Sequence, residues 1–553
     1  MTQRFPATFL ILIASLFILN LVQSSLTELI YDEAYYWYYA QNMDWGFFDH
    51  PPMVAFLIKI SSLLFDGELG VRFMSCILAV GTYIVLWLTI DNPKKNEHVV
   101  TFFLLLFSTT LLNAYGFFTL PDTPLLFFTA LFLWLYKLFL EKPSYMLAFA
   151  IGVAMAALMY SKYHAALVIV FVLLSNLKLL RDSRAWFAVI IALLCYTPHF
   201  LWLFEHDFLS IKYHIYERPN QAYSFSKFTL GYFVNLIAIF GLLFFWAYKA
   251  LLKTQTTNLF IKALKYLSFG VIVFFFISSF NRRVQTQWVV VISIPMAILT
   301  FNYILENANS RKWVYRLGLV SMVIMLYARA WLAYKPLFPL RFETHGNTVW
   351  VNELMEKSEG VPVVFENSYR RPSLYTFYSG NPSFSLNNHM YRKSQYSIDQ
   401  SEENVQGKRV VYVTKYARSG DIQFLHSDNK TVYYGTFINN FESFRKLECI
   451  VEPASVDDTY ALKVYNPYSF EVPLSKLSFS AAFSNAYKQV KDLQAMEVQA
   501  VEKERQVIPA RDTLEFKFEL PKSKFENPTY FRVGISENGL LPGLNGIPVK
   551  IEQ

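Results

Sequence analysis

The sequence predicts a polytopic α-helical membrane bundle followed by an extracytoplasmic α/β plus β-sandwich region. Three observations predict it. Apolar stretches of roughly 20 residues, the length that crosses a ~30 Å hydrocarbon core, recur through the first 335 of 553 residues. Lys and Arg collect in alternate loops between those stretches, as they do on the cytoplasmic side of membrane proteins. Beyond residue 336 the apolar runs shrink to strand length. A chain that is 54% hydrophobic and 17% charged fits that class, and its net charge of +8 is then a property of cytoplasmic loops, with no nucleic-acid partner implied.

Taken in order, about eleven spans satisfy the ~20-residue criterion, at 5–25, 69–90, 99–118, 123–141, 145–160, 163–180, 186–204, 229–248, 265–281, 288–306 and 314–333. The first follows Arg4 but lacks a small-residue cleavage site, so an uncleaved first helix is expected. Loops holding Lys94 and Lys95, Lys142, Arg181 and Arg184, Lys249 and Lys253, and Arg311 and Lys312 are assigned to the cytoplasm. The remaining loops, and everything after residue 335, then face the other side. Within 336–454, "VPVVF" and "RVVYVT" read as buried strands and "RRPSLYTFYSG" as a short helix between them, giving an α/β domain. From 455 to 553, alternating segments such as "TLEFKFEL" between turn residues read as a β-sandwich. Cys76, Cys195 and Cys449 lie far apart and imply neither a disulfide framework nor a Cys-based metal site.

Polar residues crowd the non-cytoplasmic loops. "YDEAYYWYYAQNMDWGFFDHPPM" follows the first span and carries Asp32, Glu33, Asp49 and His50. "TLPDTP" places Asp122 in a tight turn between two apolar spans, where a charge at membrane depth has little structural use. "SKYH" adds Lys162 and His164; "FEHDFLSIKYHIYER" adds Lys212, His214 and Arg218; "NRRVQTQW" adds Arg282 and Arg283. Each has a bland alternative. Asp32 and Glu33 could face water, and the prolines beside Asp122 could simply fix a turn. Asp49 and His50 are donor types for a divalent metal ion, or else only a helix entry before Pro51-Pro52. Lys162, Arg282 and Arg283 could be span-end anchors, although cations on the outer side run against the positive-inside bias. As a set, these side chains suit transfer from a lipid phosphate: a carboxylate to take a hydroxyl proton, and cations to meet the phosphate leaving group.

"DEAYYW" followed by "GFFDHPPM", with "PDTPLLFF", "YSKYHA", "PHFLWLFEHDFLSIKYH" and "NRRVQTQW" in order, resembles the GT-C glycosyltransferases of family 39 over about the first 300 residues. That family includes protein O-mannosyltransferase-like proteins and aminoarabinose–lipid A transferases. The resemblance implies an inverting transferase of the cell inner membrane that moves a sugar from a polyprenyl-phosphate donor to a lipid, glycan or protein acceptor on the periplasmic face. Its Asp-Glu pair falls on Asp32 and Glu33, and its second-loop aspartate on Asp122; these three are the expected catalytic residues. The aminoarabinose transferases carry Glu-Lys-Pro-Pro where this chain has Asp49-His50-Pro51-Pro52, so a lysine phosphate contact has no counterpart there. A secondary transporter or lipid flippase is the alternative, but transporters place ionisable residues near the midplane of repeated halves, and here the charges gather at one face. An anchored binding protein would leave the charged outer loops without a purpose.

Overall fold

The computed structural model describes residues 5–428, 430–452 and 459–551. It divides into two units: one of Met1–Asp207 with Tyr223–His345, the other of Phe208–Ala222 with Gly346–Gln553.

The first unit is helical. It opens with α1 (Ala7–Leu26), α2 (Tyr31–Gln41), α3 (Met53–Ser62), α4 (Gly67–Thr89), α5 (Val99–Phe107), α6 (Thr110–Ala114), α7 (Asp122–Glu141), α8 (Tyr145–Ser161), α9 (Ala166–Ser175) and α10 (Ser183–Glu205). Helices at Ser226–Lys253, Leu259–Ser278, Thr286–Glu306 and Ala308–Ala333 follow. Among the described residues, eight helices are long and apolar enough to cross a membrane, and α3, α8 and the stretch Tyr163–Ser175 are shorter apolar helices. Eight of the eleven anticipated spans coincide with these long helices, 145–160 and 163–180 with shorter apolar ones, and 99–118 is interrupted; α2 and α3 were not anticipated.

Local sequence explains the boundaries that matter. Pro6, Pro52 and Pro121 stand immediately before α1, α3 and α7; a fixed φ and a missing N–H suit proline to helix starts. The apolar run 99–118 is not one helix. It breaks at Ser108-Thr109, where Thr109 is extended (ψ 104°) and its hydroxyl bonds back to the Leu105 carbonyl at 3.1 Å, the competition with backbone pairing typical of Ser and Thr. The break lets residues 115–121 turn and deliver Asp122 to the start of α7.

A buried arginine inside the bundle is matched by polar and aromatic partners. Arg329, in the last long helix, donates to Asn113 Oδ1 at 2.8 Å and Asn20 Oδ1 at 2.9 Å, and lies 4.4 Å from the Phe117 ring centroid. That contact set ties the last helix to α1 and α6 and offsets the cost of a buried guanidinium.

The second unit carries a five-stranded sheet of β1 (Val363–Glu366), β2 (Ser383–Leu386), β3 (Lys408–Thr414), β4 (Ile422–Leu425) and β5 (Val432–Phe441), ordered β2-β1-β3-β5-β4. β1 is parallel to β2 and β3, with the helix Arg370–Ser379 as the crossover between β1 and β2. Beyond it, two four-stranded sheets face each other. Phe479, Phe483 and Val533 from one sheet share a core with Leu462, Leu514 and Phe516 from the other, the alternation of Thr513–Glu519 supplying every second side chain. The strand Glu448–Glu452 already pairs into this sandwich, which therefore starts before residue 455. All three cysteines are free.

Candidate active site

The site is built outward from Glu33. The first turn of α2 holds Asp32 and Glu33, where the helix dipole favours carboxylates. Glu33 is fully buried, as is Arg72 of α4. Arg72 Nε and Nη2 meet the two Glu33 oxygens at 2.8 and 2.6 Å. Its other N–H groups reach the carbonyls of Ser24 (3.1 Å), Thr27 (2.5 Å) and Glu28 (3.0 Å). Every guanidinium donor is thereby used. Glu33 also accepts from the backbone N–H of Ile30 (3.2 Å) and Thr119 (2.9 Å). Four acceptor positions, about all that a carboxylate offers, are filled. Glu33 thus fastens α2 to α4 and to the loop that leads into Asp122.

Asp32, one residue earlier, is half-buried and sits on the rigid turn that Glu33 fixes. Asp122 opens α7 between Pro121 and Pro124 and is buried; its Oδ1 lies 2.7 Å from Lys162 Nζ, also buried. The Thr123 hydroxyl donates to the Phe118 carbonyl at 2.9 Å, and Ser75 and Thr119 hydroxyls pair at 2.7 Å, so this loop is held from both ends. The Tyr115 phenol lies within electrostatic reach of both Asp122 and Asp32.

A second chain of contacts closes the first outer loop. Tyr163, next to Lys162, shares a 3.1 Å hydrogen bond with His199 Nε2, and His199 Nδ1 lies 2.6 Å from the Trp45 carbonyl. Trp202 Nε1 donates to Asp44 Oδ2 at 2.8 Å. The loop backbone passes so close to that indole that a Cβ on Gly46 would sit 2.3 Å from it. His199, Trp202, Arg72 and Tyr115 were not singled out from the sequence. His199 and Trp202 lie in the quoted "PHFLWLF" stretch, and a buried Arg among apolar residues in α4 was a readable signal.

The other anticipated residues have the following surroundings. His164 stacks on Trp288 at 5.6 Å and packs on Phe275. Arg282 and Arg283 occupy the turn after Leu259–Ser278, the first half-buried and the second exposed. Lys212, His214 and Arg218 belong to the second unit. Asp49 is buried, with Tyr39 Oη 3.5 Å from its Oδ2, and His50 packs edge-on to Tyr36. Among the described residues no group of three or more His, Cys, Asp or Glu is placed to hold a metal ion, and no step below is routed through one.

In known proteins, residues 49–202 match the family model described as dolichyl-phosphate-mannose-protein mannosyltransferase. Solved structures of ArnT from Cupriavidus metallidurans superpose with TM-scores of 0.55 (apo) and 0.51 (bound to undecaprenyl phosphate). Both are 14% identical, covering 74% of this chain and 93% of ArnT. The fold is that of the GT-C glycosyltransferases. The lipid A galacturonosyltransferase RgtD of Rhizobium johnstonii is 24% identical over 196 residues, 34% of this chain. The chain spans 41% of the length of that relative.

Proposed function

We propose that this GT-C protein is a membrane glycosyltransferase that moves a sugar, hexose or pentose, from a polyprenyl-phosphate donor to a lipid, glycan or protein hydroxyl. Asp32 is the general base. It takes the acceptor proton as the acceptor oxygen bonds to C1 of the sugar; the C1–O bond to phosphate breaks, and polyprenyl phosphate leaves with the electron pair. One displacement inverts the anomeric centre. The observation that carries this reading is the division of labour between adjacent carboxylates. Glu33 is saturated and can only position, whereas Asp32 is half-buried on the same turn. The Asp122–Lys162 pair orients the acceptor and supplies a cation. Lys162, with Arg282 and Arg283, meets the charge that develops on the phosphate.

The test is turnover of the purified full-length chain with polyprenyl-phosphate hexose and pentose donors, read by mass spectrometry of the products. Asp32→Asn keeps shape and donor binding but loses the proton acceptor, so turnover falls roughly 10²–10⁴-fold; Asp122→Asn is comparably damaging. Near wild-type turnover in Asp32→Asn moves the base elsewhere, with Asp122 the first candidate. The same reading puts the chain after Tyr334 outside the cytoplasm of a bacterial inner membrane. Alkaline phosphatase fused after Gln553 is then active, and an inactive, fully expressed fusion inverts the topology.

A further inference from the structure

The second unit contains a cavity of about 250 Å³ with an unusual electrostatic lining. Its wall combines the segment 208–222 (Tyr213, Glu217), the loop after β2 (Arg392, Lys393), the hairpin residue Lys488 and the strand residue Arg532. Four cations therefore face one carboxylate. The interhelical segment is built into this wall: Asn220 N–H donates to the Tyr487 carbonyl at 3.0 Å, Gln489 Nε2 donates to the Asn220 carbonyl at 3.0 Å, and Lys488 Nζ donates to the Tyr216 carbonyl.

Two of the cations are engaged within the wall. Arg392 stacks over the rings of Tyr369 (4.4 Å) and Tyr213 (5.7 Å), and Lys488 holds Tyr216. Lys393 and Arg532 differ: among the described residues neither ion-pairs with a carboxylate within 4.0 Å. Arg532 Nε is buried without a hydrogen-bond partner. Burial pushes the Lys393 ammonium below its usual range; Glu217 offsets part of that and Arg532 adds to it. Arg532 is lowered by burial as well, with Glu217 opposing. Like charges held side by side and partly out of water are costly, and an anion between them lowers the cost.

The ligand's class follows from charge and size. The cations outnumber Glu217 by three (four minus one), which suits a phosphate dianion better than a single carboxylate. At ~30 Å³ per water, 250 Å³ is far more than a bare phosphate fills, and Tyr213 and Tyr391 add aromatic side chains to the lining. We infer that this cavity binds a phosphorylated sugar through Lys393 and Arg532. The inference goes beyond the transferase reading and does not depend on it.

Calorimetric titration of the full-length chain in detergent tests it, with glucose 6-phosphate and glucose as soluble probes and a phosphorylated glucosamine-disaccharide lipid in the same detergent. The phosphorylated probes bind and glucose does not. Arg532→Gln and Lys393→Gln each weaken binding roughly 10- to 100-fold, as loss of one charged hydrogen bond does. Glu217→Gln, which removes the opposing carboxylate, tightens it. Binding of the lipid alone, or much more tightly than glucose 6-phosphate, assigns the site to a lipid headgroup; equal binding assigns it to the free sugar phosphate. Should Arg532→Gln fail to fold, Glu217→Gln still decides, because unchanged or weaker binding there overturns the inference. So does a wild-type chain that binds neither phosphorylated probe, or binds glucose as well as either.

Discussion

Two charge arrangements, one in each unit, are built in opposite ways. In the membrane unit, the Arg72 fork and the Glu33 carboxylate consume each other's valences together with five backbone groups. In the second unit, Lys393 and Arg532 share a cavity wall and, among the described residues, have no carboxylate at ion-pair distance. Closed charges hold a shape; open ones hold it poorly and are disposed to take a ligand. The distinction predicts where substitutions are felt: stability at the closed sites, affinity at the open ones.

The largest stability loss is expected at Arg72. Arg72→Met leaves the Glu33 carboxylate buried and uncompensated, a change that costs about 3–5 kcal/mol. Adding Glu33→Gln to that variant restores part of it, because the stranded charge is gone. Unfolding midpoints in detergent measure both, and an Arg72→Met chain as stable as the wild type would collapse the distinction.

A pH dependence is next in size. Glu537 is buried with Arg445 Nε 2.8 Å from its Oε1, yet neither carboxylate oxygen makes a well-directed hydrogen bond. Burial pushes Glu537 up to about 7; Arg445 opposes this, and the nearby buried Glu402 adds to it. Between its unfolded value near 4.5 and 7 the folded chain keeps a proton that the unfolded chain has released. Stability from this group therefore declines as pH rises through that window and is level above it. The decline amounts to at most about 3 kcal/mol for such a shift. Glu402, also raised by burial, acts with the same sign. The midpoint should fall from pH 5 to pH 7.5 in the wild type and fall less in Glu537→Gln.

How much of this was legible in the sequence depends on the range of the interaction involved. Apolar length marked the helices, and alternation marked Thr513–Glu519, because each signal is local. The break at Ser108-Thr109 was hidden, since a single helix and two short ones bury the same apolar run. Asp32, Glu33 and Asp122 stood out as charges beside spans. The partner that saturates Glu33 did not: Arg72 lies 39 positions further along, and nothing local encodes that distance. Lys212, His214 and Arg218 were grouped with the membrane loops because they lie between spans, although they fold with the second unit.

The smallest stability effect, paired with a clear functional one, is expected at Arg283. It is exposed in the turn after Leu259–Ser278, so Arg283→Ala should change stability by no more than about 0.5 kcal/mol. If the guanidinium grips the donor phosphate, its loss removes a charge-assisted hydrogen bond and weakens donor binding roughly 10- to 100-fold. Half-buried Arg282 should show the same affinity loss with a somewhat larger stability cost. Titration with the polyprenyl-phosphate donor, beside unfolding midpoints for the same preparations, separates the two quantities. Affinity unchanged in both variants would make this turn an interfacial anchor and leave Lys162 as the membrane unit's cation for the phosphate.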